Sequence, residues 1–234
     1  MEKIERVKLN IPGLDALIKH GVPKGELILL SGTAGTGKTI FGIEYLYLSK
    51  EPGVFVTFED QVQEIKHQAS CFGWDLDTLE RKNKLRILKY EPYRLEDIFT
   101  LIENNIREIK ATRVVIDSIS AFAIHLRGER ELRTTLLEIY DILKKNGCTS
   151  ILTCENPPQS PALSRFGVEE FVFDGVIVLR KLLINNEYKR AIHIWKLRGT
   201  QHSNKFYEYE IIDKKGLVVY PKRTINFKNV KFFT

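Results

Sequence analysis

The most constraining feature of the sequence is a glycine-rich segment between an apolar run and a helical pattern. The segment reads Gly32-Thr33-Ala34-Gly35-Thr36-Gly37-Lys38-Thr39 and matches G-x-x-x-x-G-K-[ST] at every fixed position. An apolar run over residues 26–31 precedes it, and residues 40–49 have the pattern of a helix. A strand, this loop and a helix in that order are typical of a phosphate-binding site, whereas a chance glycine-rich turn would lack such flanks.

Each residue type in this loop suits the binding of a nucleoside triphosphate. Glycines let the backbone curl until successive N–H groups point at phosphate oxygens, and the following helix adds its positive dipole end. We expect Lys38 to reach the β- and γ-phosphates and Thr39 to bind Mg²⁺ through its hydroxyl group. The sequence therefore predicts ATP and Mg²⁺ as ligands, with residues 32–39 around the phosphates.

Apolar runs and helical patterns alternate from residue 26 to residue 153. The predicted strands cover residues 26–31, 54–58, 113–117 and 150–153, and apolar positions recur at helical spacing over residues 98–109 and 132–143. Gly147 stands where it would cap the last of these helices. Strands that are apolar on both faces and alternate with helices predict an α/β fold, with a mainly parallel sheet covered by helices on both faces.

The pattern changes to β-hairpins after Pro157, Pro158 and Pro161. Residues 176–183 and 190–197 flank Asn185-Asn186, and residues 206–212 meet residues 217–220 across a turn that ends at Gly216. We expect these antiparallel strands to extend the same sheet. Since no repeat or low-complexity linker interrupts the chain, the prediction is one domain over residues 1–234, with a basic C-terminal tail at residues 221–234.

Composition limits the class of protein and its partners. The chain is 43% hydrophobic and 28% charged, which is typical of a globular protein, and its apolar runs are too short to cross a bilayer. We expect a cytoplasmic protein with no membrane partner. The net charge of +6 makes nucleic acid possible as a partner, but it is not favoured because acids and bases are interspersed along most of the chain.

Cysteine and histidine spacing argues against a metal centre or a disulfide framework. The three cysteines, Cys71, Cys148 and Cys154, are an odd number without Cys-x-x-Cys spacing, so neither zinc binding nor paired disulfides are indicated. We expect all of them to be buried thiols. The five histidines do not lie at metal-ligand spacing with other ligand residues.

Three carboxylates follow predicted strands and are candidates for the chemistry of hydrolysis. Asp117 ends an apolar strand, where it can hold a water of the Mg²⁺ shell, although an acid there can also cap a turn. Glu59 and Asp60 end another strand and would face the same cleft. A carboxylate in that place can orient and deprotonate the attacking water, but position alone leaves a capping role equally open for Glu59.

Six segments together resemble the KaiC family of RecA-like ATPases. They are the phosphate loop with residues 21–26 before it, and residues 58–60, 115–118, 152–155, 166–171 and 196–200. The resemblance extends from about residue 10 to residue 220. It is based on the order and spacing of the six segments together. It implies a RecA-like P-loop core, a homo-oligomeric ring that is usually hexameric, and ATP bound between neighbouring subunits.

The resemblance also implies roles for matched residues. The family has paired acids at the positions of Glu59 and Asp60, where they activate the attacking water. Its Lys-x-Arg-Gly-Thr segment reaches the nucleotide of the neighbouring subunit, which implies that Lys196 and Arg198 act in trans on the γ-phosphate. Thr200 and His202 would lie close by. Without the resemblance, a solvated hairpin end would be the preferred interpretation of Lys196 and Arg198.

The sequence departs from the family pattern in two places that bear on the predicted function. The second acid is Asp60 where the family often has Glu, which leaves open whether a second carboxylate reaches the attacking water beside Glu59. Members with two linked copies of this domain autophosphorylate on adjacent Ser and Thr residues in one copy. This chain has one copy, and residues 165–170 contain no such pair, so a role as a circadian autokinase is not supported.

Three functions remain open from the sequence. The favoured one is a homo-oligomeric ATPase whose slow hydrolysis switches its contacts with a protein partner. A recombinase-like ATPase acting on nucleic acid is the second, but its channel loop at residues 156–165 has one basic residue, Arg165, and is a poor platform for stacking bases. A small-molecule phosphotransferase is the third, and it would need an arginine-rich lid that the sequence does not contain.

Overall fold

The computed structural model describes residues 4–91, 95–157, 162–226 and 230–231. The strands are β1 (Arg6–Val7), β2 (Val22–Pro23), β3 (Leu27–Gly32), β4 (Gly53–Thr57), β5 (Leu85–Lys89), β6 (Arg113–Asp117), β7 (Thr149–Glu155), β8 (Gly175–Ile184), β9 (Glu187–Leu197), β10 (Tyr207–Ile212), β11 (Gly216–Thr224) and β12 (Val230–Lys231). The helices are α1 (Lys38–Ser49), α2 (Val62–Cys71), α3 (Leu76–Arg81), α4 (Leu95–Ile109), α5 (Ile119–Ala123), α6 (Glu129–Lys145) and α7 (Glu169–Val172), and a short 3-10 helix covers Asp15–Leu17.

The main sheet has the strand order β11-β10-β9-β8-β3-β7-β6-β4-β5, and β12 pairs with the end of β8. The strands from β8 to β5 are parallel to one another. The strands β9, β10 and β11 then continue the sheet in antiparallel pairs. This order brings the carboxyl ends of β3, β7, β6 and β4 together at one edge, where a βα sheet forms its ligand sites.

The sheet has a separate hydrophobic core on each face. Alternate residues of β3 divide between them, with Ile28 and Leu30 on one face and Leu27 and Leu29 on the other. The first core contains side chains of α1, α2 and α3, and the second contains those of α4, α5, α6 and α7. The predicted α/β fold with helices on both faces and antiparallel C-terminal strands is thus confirmed.

Predicted and observed elements differ mainly at the edges of the fold. The sheet edge at β5 and the adjoining α3 were not predicted, although Leu85 and Ile87 alternate with Arg86 as in a half-buried strand. Residues 221–224, where the predicted basic tail begins, are the last residues of β11, and Thr224 pairs with Tyr207. Pro158 and Pro161 lie outside the described residues.

The expected burial of the cysteines holds for two of the three. Cys148 and Cys154 are buried, and burial raises the pKa of the Cys148 thiol to about 12. Cys71 is exposed instead, because it ends α2 on the side that faces solvent. Within the part of the chain that the structure describes, no helix is long and apolar enough to span a bilayer.

The residues before β3 form an N-terminal segment, residues 4–25, beside the main sheet. β1 and β2 pair antiparallel within it, and Leu9, Ile11 and Leu14 are buried in the first core. The Asp15 carboxylate accepts hydrogen bonds from the main-chain N–H groups of Leu9 and Asn10 at 2.8 and 2.9 Å. The N-terminal segment is thereby folded onto the body of the molecule.

Glu44 is a carboxyl group buried beneath the second C-terminal hairpin. It lies in α1 with no solvent exposure, and its Oε2 accepts a hydrogen bond from the N–H of Leu217 at 2.8 Å. Among the described residues its Oε1 finds no hydrogen-bond partner, and a Cβ at Gly216 would stand 2.8 Å from that atom. Burial raises the Glu44 pKa to about 8, against the opposing effect of the Leu217 N–H.

Glu44 should make the folded protein less stable as pH rises. Its carboxyl group titrates near 4.5 when exposed and near 8 in the folded state, so the folded state holds an extra proton between these values. The free energy of unfolding should therefore fall between about pH 5 and about pH 8, by at most about 1.4 kcal/mol per pH unit. Glu44→Gln, which stays neutral, should lose this component of the decline.

Urea unfolding across that pH range measures the effect. The exposed Glu138 of α6 provides a matched control, since Glu138→Gln removes one carboxylate without touching a core. The difference in unfolding free energy between Glu44→Gln and wild type should grow in favour of the variant as pH rises. A constant difference across the range would contradict the assignment.

Candidate active site

The glycine-rich loop connects β3 to α1 and adopts a backbone that depends on glycine at three positions. Gly35 and Gly37 have positive φ angles of 70° and 92°, which residues with a side chain rarely adopt. At Gly32 a Cβ would lie 2.7 Å from the Thr36 hydroxyl oxygen and 2.8 Å from the carbonyl oxygen of Leu179. The curled loop leads directly into α1, whose N-terminus has no side-chain cap and can offer N–H groups to an anion.

Strands of the antiparallel extension support this loop from behind. The buried Tyr209 of β10 donates its hydroxyl hydrogen bond to the carbonyl oxygen of Thr36 at 2.6 Å. Ile211, two residues later, packs so closely that a Cβ at Gly37 would lie 2.7 Å from its Cδ1. The Thr36 hydroxyl group turns back to donate to the carbonyl oxygen of Thr33 at 2.8 Å. The loop is therefore held in its curled form by contacts on both sides.

Lys38 and Thr39 project from the first turn of α1 into a cavity of about 290 Å³. The Lys38 ammonium group is folded back onto the loop, where it donates to the carbonyl oxygens of Gly32 at 3.0 Å and Thr33 at 3.2 Å. The Thr39 hydroxyl group donates to Oδ2 of Asp117 at 2.7 Å. The two side chains thus both lie at the mouth of the loop, and their contacts with phosphate and Mg²⁺ stay a prediction.

Carboxylates that follow or end three neighbouring strands line the same cavity. Glu59 and Asp60 follow β4, Asp117 ends β6, and Glu155 ends β7. The turn after β4 is fixed by the Thr57 hydroxyl oxygen, which accepts from the N–H groups of Asp60 at 3.1 Å and Glu59 at 3.3 Å. The cavity is therefore lined both by the loop with its ammonium group and by carboxylates, and Asp117 directly contacts Thr39.

The charges of this cluster alter the pKa of its members. Burial raises the pKa of Asp117, while hydrogen bonds from Thr153 and Thr39 and the charge of Lys38 act in the opposite direction. Glu59 is exposed at the rim, yet partial desolvation raises its pKa, and the charges of Glu155, Asp117 and Asp60 add to the effect. Like charges gathered in this way are relieved by a cation, and Lys38 supplies one.

The donor groups suit Mg²⁺ held together with phosphates rather than by protein alone. Within the described ranges, no three His, Cys, Asp or Glu side chains are grouped closely enough to hold a metal ion. Mg²⁺ keeps several waters and commonly uses only one or two protein ligands beside substrate phosphates. The Thr39 hydroxyl group, which donates a hydrogen bond to Asp117, could serve as such a ligand, and Asp117 could accept from a water bound to the ion.

The distal segment, residues 196–202, contains Lys196, Arg198, Thr200 and His202. It begins near the amino ends of the parallel strands. Leu197 at the end of β9 pairs with Gly175 at the start of β8, and Gly175 is aligned with Ile28 of β3. Since Gly32 lies four residues further along β3, the distal segment is roughly 13 Å or more from the phosphate loop of its own chain. The structure therefore does not bring the distal segment to the site that holds Lys38 and Glu59.

The two cations of the distal segment rest against α7 and the start of β8. The Lys196 ammonium group donates to the carbonyl oxygen of Glu170 at 2.7 Å, and burial, followed by the charge of Arg198, lowers its pKa. Arg198 makes longer contacts with Asp174 at 3.4 Å and with the carbonyl oxygen of Phe171 at 3.3 Å. About half of the Arg198 side chain is exposed, at 53%. It can therefore turn towards another molecule.

Sequence reasoning did not select three residues that belong to the site. Glu155 lines the cavity at the end of a parallel strand, which is the same signal that identified Asp117. The Thr153 hydroxyl group donates to Oδ1 of Asp117, and Tyr209 supports the loop from a strand far along the chain. The pattern could have suggested Glu155, whereas the contacts of Thr153 and Tyr209 depend on strand pairing.

Comparison with known proteins agrees with this geometry. Residues 7–224 match the family model described as "ATPase: KaiC". The chain is 35% identical over 239 residues to the circadian clock protein KaiC3 of Synechocystis sp., covering 96% of this chain and 47% of that protein. It thus spans about half the length of the curated clock proteins that it matches.

Relatives of similar length are also known. A UPF0273 protein of Thermotoga maritima is 34% identical, with 93% of this chain and 97% of that protein covered. The crystal structure of a KaiC-like protein from Pyrococcus horikoshii OT3 superimposes with a TM-score of 0.86 at 42% identity, covering 94% of this chain and all of the other. From its phosphate loop, its fold and these relatives, the chain belongs to the KaiC family of RecA-like ATPases.

Proposed function

We propose that the protein is one ATPase domain that assembles into a homo-oligomeric ring and hydrolyses Mg-ATP at the contacts between subunits. The observation that supports this proposal is the separation of two sets of charged residues along the direction of the parallel strands. The phosphate loop and its carboxylates lie at the carboxyl ends of these strands, and Lys196 and Arg198 lie near the amino ends. A ring in which each subunit repeats the same contact would bring the two sets together.

Within one subunit, the phosphate loop binds and orients the triphosphate. N–H groups of residues 32–39 surround phosphate oxygens, and Lys38 exchanges its contacts with the Gly32 and Thr33 carbonyl oxygens for the β- and γ-phosphates. Thr39 would hold Mg²⁺ directly and Asp117 through a water, and the ion would neutralise phosphate charge. These contacts would position the γ-phosphate for attack.

Glu59 is the proposed acceptor of the proton in hydrolysis. A water attacks the γ-phosphorus, the bond from that phosphorus to the β–γ bridging oxygen breaks, and ADP leaves. The water's proton passes to the Glu59 carboxylate, whose raised pKa makes it a better base than an ordinary glutamate. Asp60 stands beside it and is proposed to assist in orienting the water.

The neighbouring subunit supplies the remaining positive charge. Lys196 and Arg198 approach the γ-phosphate across the contact, with Thr200 and His202 nearby. An arginine from the neighbour neutralises charge in the transition state. Hydrolysis then depends on assembly, because the active site of an isolated subunit has no arginine in this position. Hydrolysis would then alter the contact between subunits, which suits a regulatory role towards a protein partner. Six subunits and a cytoplasmic location are part of the same proposal.

Replacing Glu59 by Gln should separate binding from hydrolysis. The amide keeps the size of the side chain but accepts no proton, so the hydrolysis rate should fall by about 100-fold or more. Calorimetry should find the affinity for Mg-ATP nearly unchanged. Asp60→Asn, measured in parallel, reports whether the second acid contributes, and Glu138→Gln on α6 is the control. An equal loss of binding and rate in Glu59→Gln would show that the residue is structural.

Replacing Arg198 by Ala should slow hydrolysis through the neighbouring site. The expected loss is about 1,000-fold, the lower end of what an arginine provided across an interface contributes. Mixing this variant with Lys38→Ala subunits should restore activity, since roughly a quarter of the interfaces in a random mixture pair an intact loop with an intact arginine. Lack of recovery in mixed assemblies would argue against action in trans.

Light scattering of the purified chain tests the assembly itself. The mass should rise to that of a closed oligomer on addition of Mg-ATP, and Lys38→Ala should reduce this response because it weakens nucleotide binding. A protein that stays monomeric at all nucleotide concentrations would refute the ring. A hydrolysis rate that single-stranded DNA stimulates, and that high salt suppresses, would instead favour the recombinase-like function.

A further inference from the structure

The distal segment is fixed to the N-terminal segment as well as to the sheet that precedes it. The main-chain N–H of Lys19 donates to the carbonyl oxygen of Gln201 at 2.9 Å. The N–H of Ser203 donates to the carbonyl oxygen of Leu17 at 3.0 Å, and Ile18 forms an antiparallel bridge with His202. Residues far apart in sequence thus lie side by side along the whole turn after β9.

Arg6 of β1 is the side chain that joins these two segments at the residues next to Arg198. Its Nη2 donates to the carbonyl oxygen of Gly199 at 2.7 Å, and its Nη1 donates to the Thr200 hydroxyl oxygen at 2.9 Å. Nη1 also donates to the carbonyl oxygen of Gly21 at 2.8 Å, which anchors the guanidinium group on the N-terminal segment. The planar guanidinium group can hold three such acceptors in one fixed arrangement, which a lysine ammonium group on a flexible chain cannot match.

The turn that carries Arg198 needs such an external support. Gly199 has a positive φ of 60°, and a Cβ placed there would meet no atom within 4 Å, so packing does not hold this residue. The main-chain hydrogen bond from Thr200 to Leu197 is long, at 3.3 Å, and the contacts of the Arg198 guanidinium group are 3.3 and 3.4 Å. The Arg198 N–H donates to the carbonyl oxygen of Asp174 at 3.0 Å before this turn, and the N–H of Lys19 holds Gln201 at 2.9 Å after it. Between these two main-chain contacts, the hydrogen bonds of Arg6 fix the positions of Gly199 and Thr200.

We infer that Arg6 is a positioning residue, which holds the Arg198-Gly199-Thr200 turn in the conformation that presents Arg198 to the neighbouring subunit. This inference rests on the proposed action of Arg198 in trans and assigns a role in it to the N-terminal segment. Arg6 contacts the turn, and its effect on hydrolysis would pass through Arg198. Because a displacement of about 1 Å in a catalytic group can cost 100-fold in rate, loosening this turn should slow hydrolysis.

Arg6→Ala tests the inference, with Lys24→Ala as its matched control. Lys24 lies in the same N-terminal segment, and its ammonium group pairs with the Glu5 carboxylate at 3.0 Å on the surface. Among the described residues, the Lys24 side chain makes no hydrogen bond or ion pair with the distal segment. The kcat for ATP hydrolysis should fall about 10- to 100-fold in Arg6→Ala, while Mg-ATP affinity stays close to that of wild type. Lys24→Ala should behave as wild type in both measurements.

Two further readouts separate positioning from general damage. Hydrogen exchange of the peptide spanning residues 198–203 should become faster in Arg6→Ala without nucleotide, and exchange in the phosphate loop should not change. Mixing Arg6→Ala with Lys38→Ala subunits should restore hydrolysis, because Lys38→Ala subunits carry an intact turn. Should Arg6→Ala fail to fold, Arg6→Lys is measured instead. It should give an intermediate rate, since one ammonium group replaces two guanidinium nitrogens.

The outcomes distinguish this inference from the function on which it rests. If Arg198→Ala slows hydrolysis but Arg6→Ala matches Lys24→Ala in rate and in exchange, the role of Arg6 is refuted and action in trans survives. A wild-type rate for Arg6→Lys without faster exchange has the same meaning when only that variant folds. If Arg198→Ala itself hydrolyses ATP at the wild-type rate, the proposed function fails, and the role of Arg6 fails with it.

Discussion

The curled backbone between β3 and α1 is the constraint around which the site is arranged. Its N–H groups can face an anion only where a parallel strand ends and a helix begins, so the loop must lie at the carboxyl edge of the sheet. Parallel neighbours of β3 end at that same edge, which gathers Asp117, Glu155 and Glu59 around the loop. The common direction of these strands thus places Lys38 and the acidic groups around one cavity.

The antiparallel C-terminal strands serve the site in two different ways. Strand β10 supports the loop, because Tyr209 donates a hydrogen bond to the Thr36 carbonyl oxygen and Ile211 packs against Gly37. Strand β9 runs antiparallel to β8, so Lys196 and Arg198 at its end lie near the amino ends of the parallel strands. The same extension that completes the phosphate loop therefore moves two cations beyond its reach. The proposed head-to-tail contact between subunits would bring these cations to the phosphate loop of a neighbour.

The N-terminal segment belongs to the same arrangement. It precedes the phosphate loop in the chain, yet it lies against the distal segment through Arg6, Lys19 and Leu17. Buried Leu9, Ile11 and Leu14 fix it to the first core. A contact between subunits at the distal segment would thus be linked, through rigid backbone, to the start of the strand that carries the phosphate loop. Glu44 of α1, buried under the second hairpin, adds a dependence on pH to the stability of the folded protein.

The sequence by itself determined the phosphate loop, the alternation of strands and helices, and the acids that follow β4 and end β6. These features are local, since a motif, an apolar period or a strand end is written in adjacent residues. Only the tertiary structure decided that Thr153 and Tyr209 contact the site, that Arg6 holds the turn after Arg198, and that Lys196 and Arg198 lie far from Lys38 of their own chain. These contacts and this separation follow from strand order and strand direction. Both arise from packing between residues that are remote in sequence.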